Sequence, residues 1–93
     1  METQTFSSVW DALEHSAADA ASMRARSEVM IALRVRIESW NVSQAETARR
    51  MGVTQPRLND LLRGRLDKFN LDELMNLAAA AGLTVRLAIS AAA

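Results

Sequence analysis

Ninety-three residues without a cysteine allow one modest domain and exclude a disulfide framework or a thiolate zinc site, which fits a reducing, cytoplasmic compartment. A 49% hydrophobic content argues against disorder over most of the chain, and no apolar run reaches the ~18 residues of a membrane span. The opening residues lack the basic-then-apolar order of a signal peptide, and the formal net charge is zero, which at first counts against nucleic acid.

Residues 1–21 read as a short helix and a connector. Ser8 and Asp11 have capping-box-like spacing, and Val9, Trp10 and Leu13 form a small apolar patch, so a helix is expected over about 8–16. Trp10 suits the core or a partner surface better than a ligand-stacking role. His15 is the single histidine, with no second ligand or nucleophile spaced near it, and reads as a surface residue. Ser16 to Ala21 is small and polar enough for a connector. A long helix is expected from about Ser22 to Trp40, with Met23, Met30, Leu33, Ile37 and Trp40 on one buried stripe. Ile31 and Val35 widen that stripe or make a second one. Arg24, Arg26, Arg34 and Arg36 read as a solvated face whose aliphatic stems cover the stripe's edge.

After the turn Asn41-Val42, the stretch from Ser43 to Gly64 organises the chain as two short helices joined by one tight turn. Ser43 and Glu46 have capping-box spacing, so a helix can begin at Gln44. Ala45, Ala48 and Met51 share one face, and Gly52 follows as a left-handed stop. Val53 is apolar inside the turn, and Thr54 can cap the next helix. Pro56 falls in that helix's first turn, where its missing N–H would have had no partner. Leu58, Leu61 and Leu62 form its buried stripe, and Gly64 ends it. Small residues at 48 and 52 suit two helices that approach closely over a short turn.

A loop with Arg65, Asp67 and Lys68 leads to Asn70, which caps a further helix with Glu73 three residues on; Phe69 and Leu74 bracket the cap as a hydrophobic staple. Leu71, Leu74, Met75, Leu77 and Ala78 make its packed face, and Gly82 closes it. Leu83 to Ser90 alternates strictly, with Leu83, Val85, Leu87 and Ile89 on one side, which is a strand pattern; residues 91–93 are expected to fray. Domain boundaries are therefore expected at 1–21, 22–82 and 83–93. A lone strand has no obvious mate, so the simplest closure is the same strand of a second copy, giving a homodimer through Leu83, Val85, Leu87 and Ile89; the competing closures are another protein's sheet edge or the chain's own helices.

Charge follows the same division. Residues 1–43 carry six acids against four arginines, a balance of −2. Residues 44–68 carry Arg49, Arg50, Arg57, Arg63, Arg65 and Lys68 against Glu46, Asp60 and Asp67, a balance of +3; the remainder is −1. The positive segment coincides with the two-helix stretch, so the local field favours phosphate while the whole stays neutral.

Gln44, Ala48, Gly52, Val53, Leu58 and Leu61, each of the residue type required at its offset, make this stretch resemble the helix-turn-helix of Xre/Cro (phage-repressor) type DNA-binding proteins. The segments Gly64–Phe69 and Leu71–Leu74 resemble the corresponding flanks in small bacterial members, a subgroup with many antitoxin-type regulators. The resemblance covers roughly residues 22–86. It implies an all-α, five-helix, lambda-repressor-like domain, here with a short C-terminal β-strand, and a cytoplasmic transcriptional regulator, by default a repressor acting as a dimer. The recognition helix would then be 54–63, with Thr54, Gln55 and Arg57 facing the major groove and Asn59 and Asp60 along the exposed side. Gln55 can bond adenine bidentately, and Arg57 guanine or a phosphate. Gln44, Arg63, Arg65 and Lys68 are phosphate candidates. Pro56 departs from the polar residue often found there and removes one possible base contact. The alternative function is an antitoxin that neutralises a toxin protein by direct binding and autoregulates its operon, the toxin then being the protein whose sheet edge could take the strand. One histidine, no cysteine and three scattered glycines assemble no nucleophile with its base, no metal cluster and no phosphate cradle, so neither an enzyme nor a cofactor is expected.

Overall fold

Ser16 to Ser22 contains four alanines, the strongest helix formers, and neither glycine nor proline. It therefore continues a helix where small polar residues had suggested a connector. In the computed structural model, which describes residues 2–91 and their side chains from Ser16 onward, α1 is one helix, Glu2–Ser39. The two helices expected before the motif are thus a single rod of about 57 Å. The roles considered for Val9, Trp10, Leu13 and His15 lie outside the described side chains, and Ala92 and Ala93 outside the described residues. Helices α2 (Gln44–Met51), α3 (Gln55–Leu62) and α4 (Leu71–Ala80) follow, with a 3-10 turn at Leu66–Lys68.

The described residues thus form an all-helical fold of four α-helices, not five, and carry no strand. Leu83 N–H donates to Ala78 O at 2.9 Å, and residues 84–91 make no backbone–backbone hydrogen bond among the described residues. A strand is defined by its ladder, and nothing among the described residues offers one. The alternation still has a partial counterpart: Leu83 and Val85 pack against the core, while Leu87 and Ile89 stand 72% and 89% exposed.

The core is drawn from every helix: Met30, Leu33 and Ile37 of α1, Ala48 and Met51 of α2, Leu58 and Leu61 of α3, and Leu74 and Ala78 of α4, with Phe69 and Ala81 beside them. The α1 stripe holds at Met30, Leu33 and Ile37, and Trp40 is half-buried. Met23 remains exposed. Ile31 and Val35 do not widen the stripe; they lie on the outer side of α1, 58% and 63% exposed. The radius of gyration is 17.4 Å, against about 12 Å for a compact chain of this length, because the first half of α1 extends past the body. Residues 16–24 are exposed throughout.

Gly52 sits at φ 69°, the left-handed conformation anticipated for the stop after α2. Its reason is conformational alone: a Cβ there would meet no atom within 4 Å, so close approach of α2 and α3 does not require it. Ala48, 4% exposed, is the point of close packing. Gly52→Val should cost about 1–2 kcal/mol for the left-handed backbone. Ala48→Leu should cost about 1–3 kcal/mol by overpacking. Each kilocalorie corresponds to a fall of about 4–8 °C in melting temperature for a domain of this size. Thermal melts of both variants indistinguishable from the parent would show that the turn is misassigned.

Candidate nucleic-acid interface

Two cap residues set the pose of the α2–α3 pair. Ser43 Oγ accepts from Glu46 N–H at 3.1 Å and starts α2. The reciprocal half of the expected box is not formed, because Glu46 turns its carboxylate to Arg49 and Arg50. Gly52 and Val53 close the helix on Ala48 and Arg49 carbonyls, and Thr54 Oγ1 accepts from Arg57 N–H at 3.3 Å to open α3. Pro56 lies in the first turn of α3, as anticipated.

Periodicity then divides α3 into two sides. Leu58 and Leu61 are 0% and 1% exposed and anchor the inner side. Gln55, Asn59 and Arg63, at i, i+4 and i+8, are exposed along the outer side with Thr54 and Pro56 next to them. The side chains of Gln55, Asn59 and Arg63 make no hydrogen bond or ion pair with another described residue. Gln44, the first residue of α2, and Lys68, in the 3-10 turn, are exposed with side chains equally uncommitted. Arg65 is exposed but turned toward Asp60, with Nε 3.9 Å from Oδ1.

Arg57 is placed differently from the other expected groove residues. About 200° around α3 from Gln55, it faces α4. Its Nη1 donates to Lys68 O at 2.8 Å, its Nη2 pairs with the Glu73 carboxylate, and its guanidinium carbon sits 3.9 Å from the centre of the buried Phe69 ring. Glu73 at the same time accepts from Asn70 N–H, while Asn70 Oδ1 accepts from Glu73 N–H, so the α4 capping box is complete.

Two arginines expected on a solvated face of α1 instead hold the scaffold. Arg26 Nη1 donates to Leu66 O at 2.9 Å and Phe69 O at 3.4 Å, tying down the 3-10 turn beside Lys68. Arg36 Nε donates to Ala81 O at 2.9 Å, satisfying the last turn of α4. One signal was present in the sequence: Arg26 is four and seven residues before Met30 and Leu33, in register with the buried stripe. A cation in that register must find acceptors. Arg49 and Arg50 lie on the exposed side of α2, and Arg50 stacks 5.3 Å from the Trp40 ring centre.

No group of three or more potential metal ligands occurs among the described residues, and none of their helices is long and apolar enough to cross a membrane. Three clefts along the body are open and shallow.

A family model described as a helix-turn-helix domain matches residues 12–90. Among solved structures, one assigned to the XRE family of transcriptional regulators superposes with a TM-score of 0.72 at 30% identity, covering 80% of this chain and 83% of that one. No curated protein matches the chain.

Hydrogen bonds from Arg49 first, and then Arg50, hold the Glu46 carboxyl at about 2, below its ordinary 4.5. Because the folded value is depressed, the contribution of this cluster to stability is complete above about pH 4.5 and is lost as pH falls toward 2. The Glu46 side-chain carbon should therefore titrate at about 2 by NMR. The small stability difference between parent and Glu46→Gln should vanish over the same window. A titration midpoint near 4.5 would remove the cluster.

Proposed function

The chain belongs to the helix-turn-helix domain family and is an Xre-type DNA-binding transcriptional regulator; from that premise we propose that it is a sequence-specific repressor that reads duplex DNA as a homodimer. The observation that supports this reading best is the division of α3. Its inner leucines are fully committed to the core, while Gln55, Asn59 and Arg63 form an outward polar stripe with no partner among the described residues. In the proposed complex, α3 enters the major groove with Thr54, Gln55 and Asn59 at base edges. Gln44 at the start of α2, with Arg63, Arg65 and Lys68 after the recognition helix, bonds phosphates and fixes the register. Arg57, also expected at the groove, is instead held against α4.

A duplex recovered by selection with the parent protein, followed by fluorescence anisotropy, tests the proposal. Gln55→Ala should cost about 1–3 kcal/mol and relax discrimination at one base pair. Lys68→Ala should weaken all sequences alike and lower the slope of log K against log salt by about 0.9. Failure of the parent to bind any duplex at low salt, or parental affinity in both variants, overturns it.

The dimer rests on the C-terminal segment. Residues 84–91 carry backbone groups with no backbone hydrogen-bond partner among the described residues, and Leu87 and Ile89 are exposed beside Leu83 and Val85, which touch the core. Antiparallel pairing of Leu83–Ser90 with its copy across a two-fold axis would satisfy both sets. It would also present two recognition helices to half-sites about 34–36 Å apart. Light scattering after size exclusion at micromolar concentration should report twice the chain mass, and Leu87→Asp or truncation after Arg86 should shift it toward monomer. A monomeric parent, or a truncated chain that dimerises as tightly, removes the segment from the interface.

A second reading, an antitoxin that binds a toxin protein and represses its own operon, is favoured by one feature. The first half of α1 extends past the body with residues 16–24 exposed, a helix surface that DNA reading does not use. Co-expression with the product of an adjacent small reading frame should then relieve growth arrest, and deletion of residues 1–21 should abolish relief while sparing duplex binding.

A further inference from the structure

We infer that Arg57 is a positioning residue, one that sets the α2–α3 unit against α4 by clasping Glu73, and that duplex affinity depends on it through this clasp rather than through a base or a phosphate. The inference rests on the DNA-binding reading above. The helices pack unevenly. The closest partnerships are α1 with α4 and α2 with α3, and α1 with α3 and α2 with α4 approach one another at fewer points. Along the seam between them an open cleft of about 300 Å³ remains, lined by Met51, Gly52 and Val53 of the turn and by Glu73, Asn76 and Leu77 of α4. The recognition helix therefore borders a seam that apolar packing leaves partly unfilled.

Arg57 spans this seam at its α3 end. Its backbone N–H is held by the Thr54 cap, and its guanidinium is held by three groups across the gap: the Lys68 carbonyl, the Phe69 ring and the Glu73 carboxylate. An exposed ion pair alone would contribute little. Here the planar guanidinium stacks on a side chain that is 2% exposed while bonding a carbonyl and a carboxylate, a geometry that ammonium cannot reproduce. Glu73 is itself immobilised by the α4 capping box, so the clasp ties the first turn of α3 to the first turn of α4. A side chain so engaged is directed away from the outer stripe of Gln55, Asn59 and Arg63. Its effect on binding is to hold the angle at which that stripe is presented.

Arg57→Gln, Arg57→Lys, Glu73→Gln and the Arg57→Gln/Glu73→Gln double variant separate the possibilities. Binding is measured with the selected duplex, with single-base-pair variants of it, and across a salt series, at a temperature where circular dichroism shows every variant folded. A clasp predicts that each single variant weakens all duplexes alike, by about threefold or more, with discrimination and salt slope unchanged. The double variant should lose no more than either single one, and lysine should not rescue. A guanine contact predicts lost discrimination at one base pair with Glu73→Gln binding like the parent. A phosphate contact predicts a salt slope lower by about one and rescue by lysine. Either pattern overturns the inference.

The DNA-free protein supplies an independent readout. Urea midpoints of the four proteins should show coupling between positions 57 and 73, and amide exchange should quicken at both Thr54–Arg57 and Asn70–Glu73 in each single variant. Additive midpoints with unchanged exchange would refute the clasp. Should the parent bind no duplex at all, the regulatory reading fails, and the clasp is decided by coupling and exchange alone.

Discussion

Four leucines from three helices meet at the centre of this protein, and which side of α3 faces outward follows from them. Leu33 of α1, Leu58 and Leu61 of α3 and Leu74 of α4 are the largest fully buried side chains among the described residues. Burial of each is worth about 1.5–3 kcal/mol, more than any exposed ion pair in the molecule. Two of the four belong to α3, a helix of only eight residues that has little stability of its own. With Leu58 and Leu61 fixed inward, the helical repeat leaves no choice about which residues face out. The outward stripe Gln55–Asn59–Arg63 is thus a consequence of hydrophobic burial on the opposite side, and the polar face has to contribute nothing to folding.

Around that centre, single polar groups fill places that the small core does not reach. Arg26 and Arg36 reach from α1 to carbonyls of the 3-10 turn and of the last turn of α4, and Arg57 reaches across from α3. All three donate through a guanidinium to a backbone carbonyl. The pattern suits a chain of this size, in which long side chains can bridge gaps that would otherwise need additional apolar residues.

Legibility in the sequence follows the range of the interaction. The caps at Ser43, Thr54 and Asn70, the left-handed Gly52 and the leucine stripe of α3 depend on residues three or four apart, and the structure has them where the spacing placed them. The Arg26 and Arg36 bonds join residues 40 and 45 positions apart; the register of Arg26 with the buried stripe says that it needs acceptors, but no local pattern says which. Alanine in Ser16–Ser22 was misleading for a different reason: its small size suggested a connector, while its propensity demanded a helix. The C-terminal alternation is a true periodicity, but a ladder needs a second edge, and a sequence shows one chain only. Arg57 was read as a groove residue from its place in the motif. Its distance around the helix from Gln55 was available from the same numbering and argued for a flank.

The charge balance gains meaning once partners are assigned. In residues 44–68 the excess of +3 comes from six cations, yet Arg49 and Arg50 share Glu46, Arg65 leans on Asp60, and Arg57 is paired with Glu73 from outside the segment. Arg63 and Lys68 are left without an ion pair among the described residues, one at the end of α3 and one in the turn that follows. Exposed pairs are screened within about 8–10 Å at physiological salt, so the near field is set by these local arrangements and not by the net charge of zero. Within this segment the uncommitted positive charge is therefore concentrated at one end of the outward stripe. An approaching duplex would meet that end first, and a neutral protein can in this way orient a polyanion without attracting it from afar.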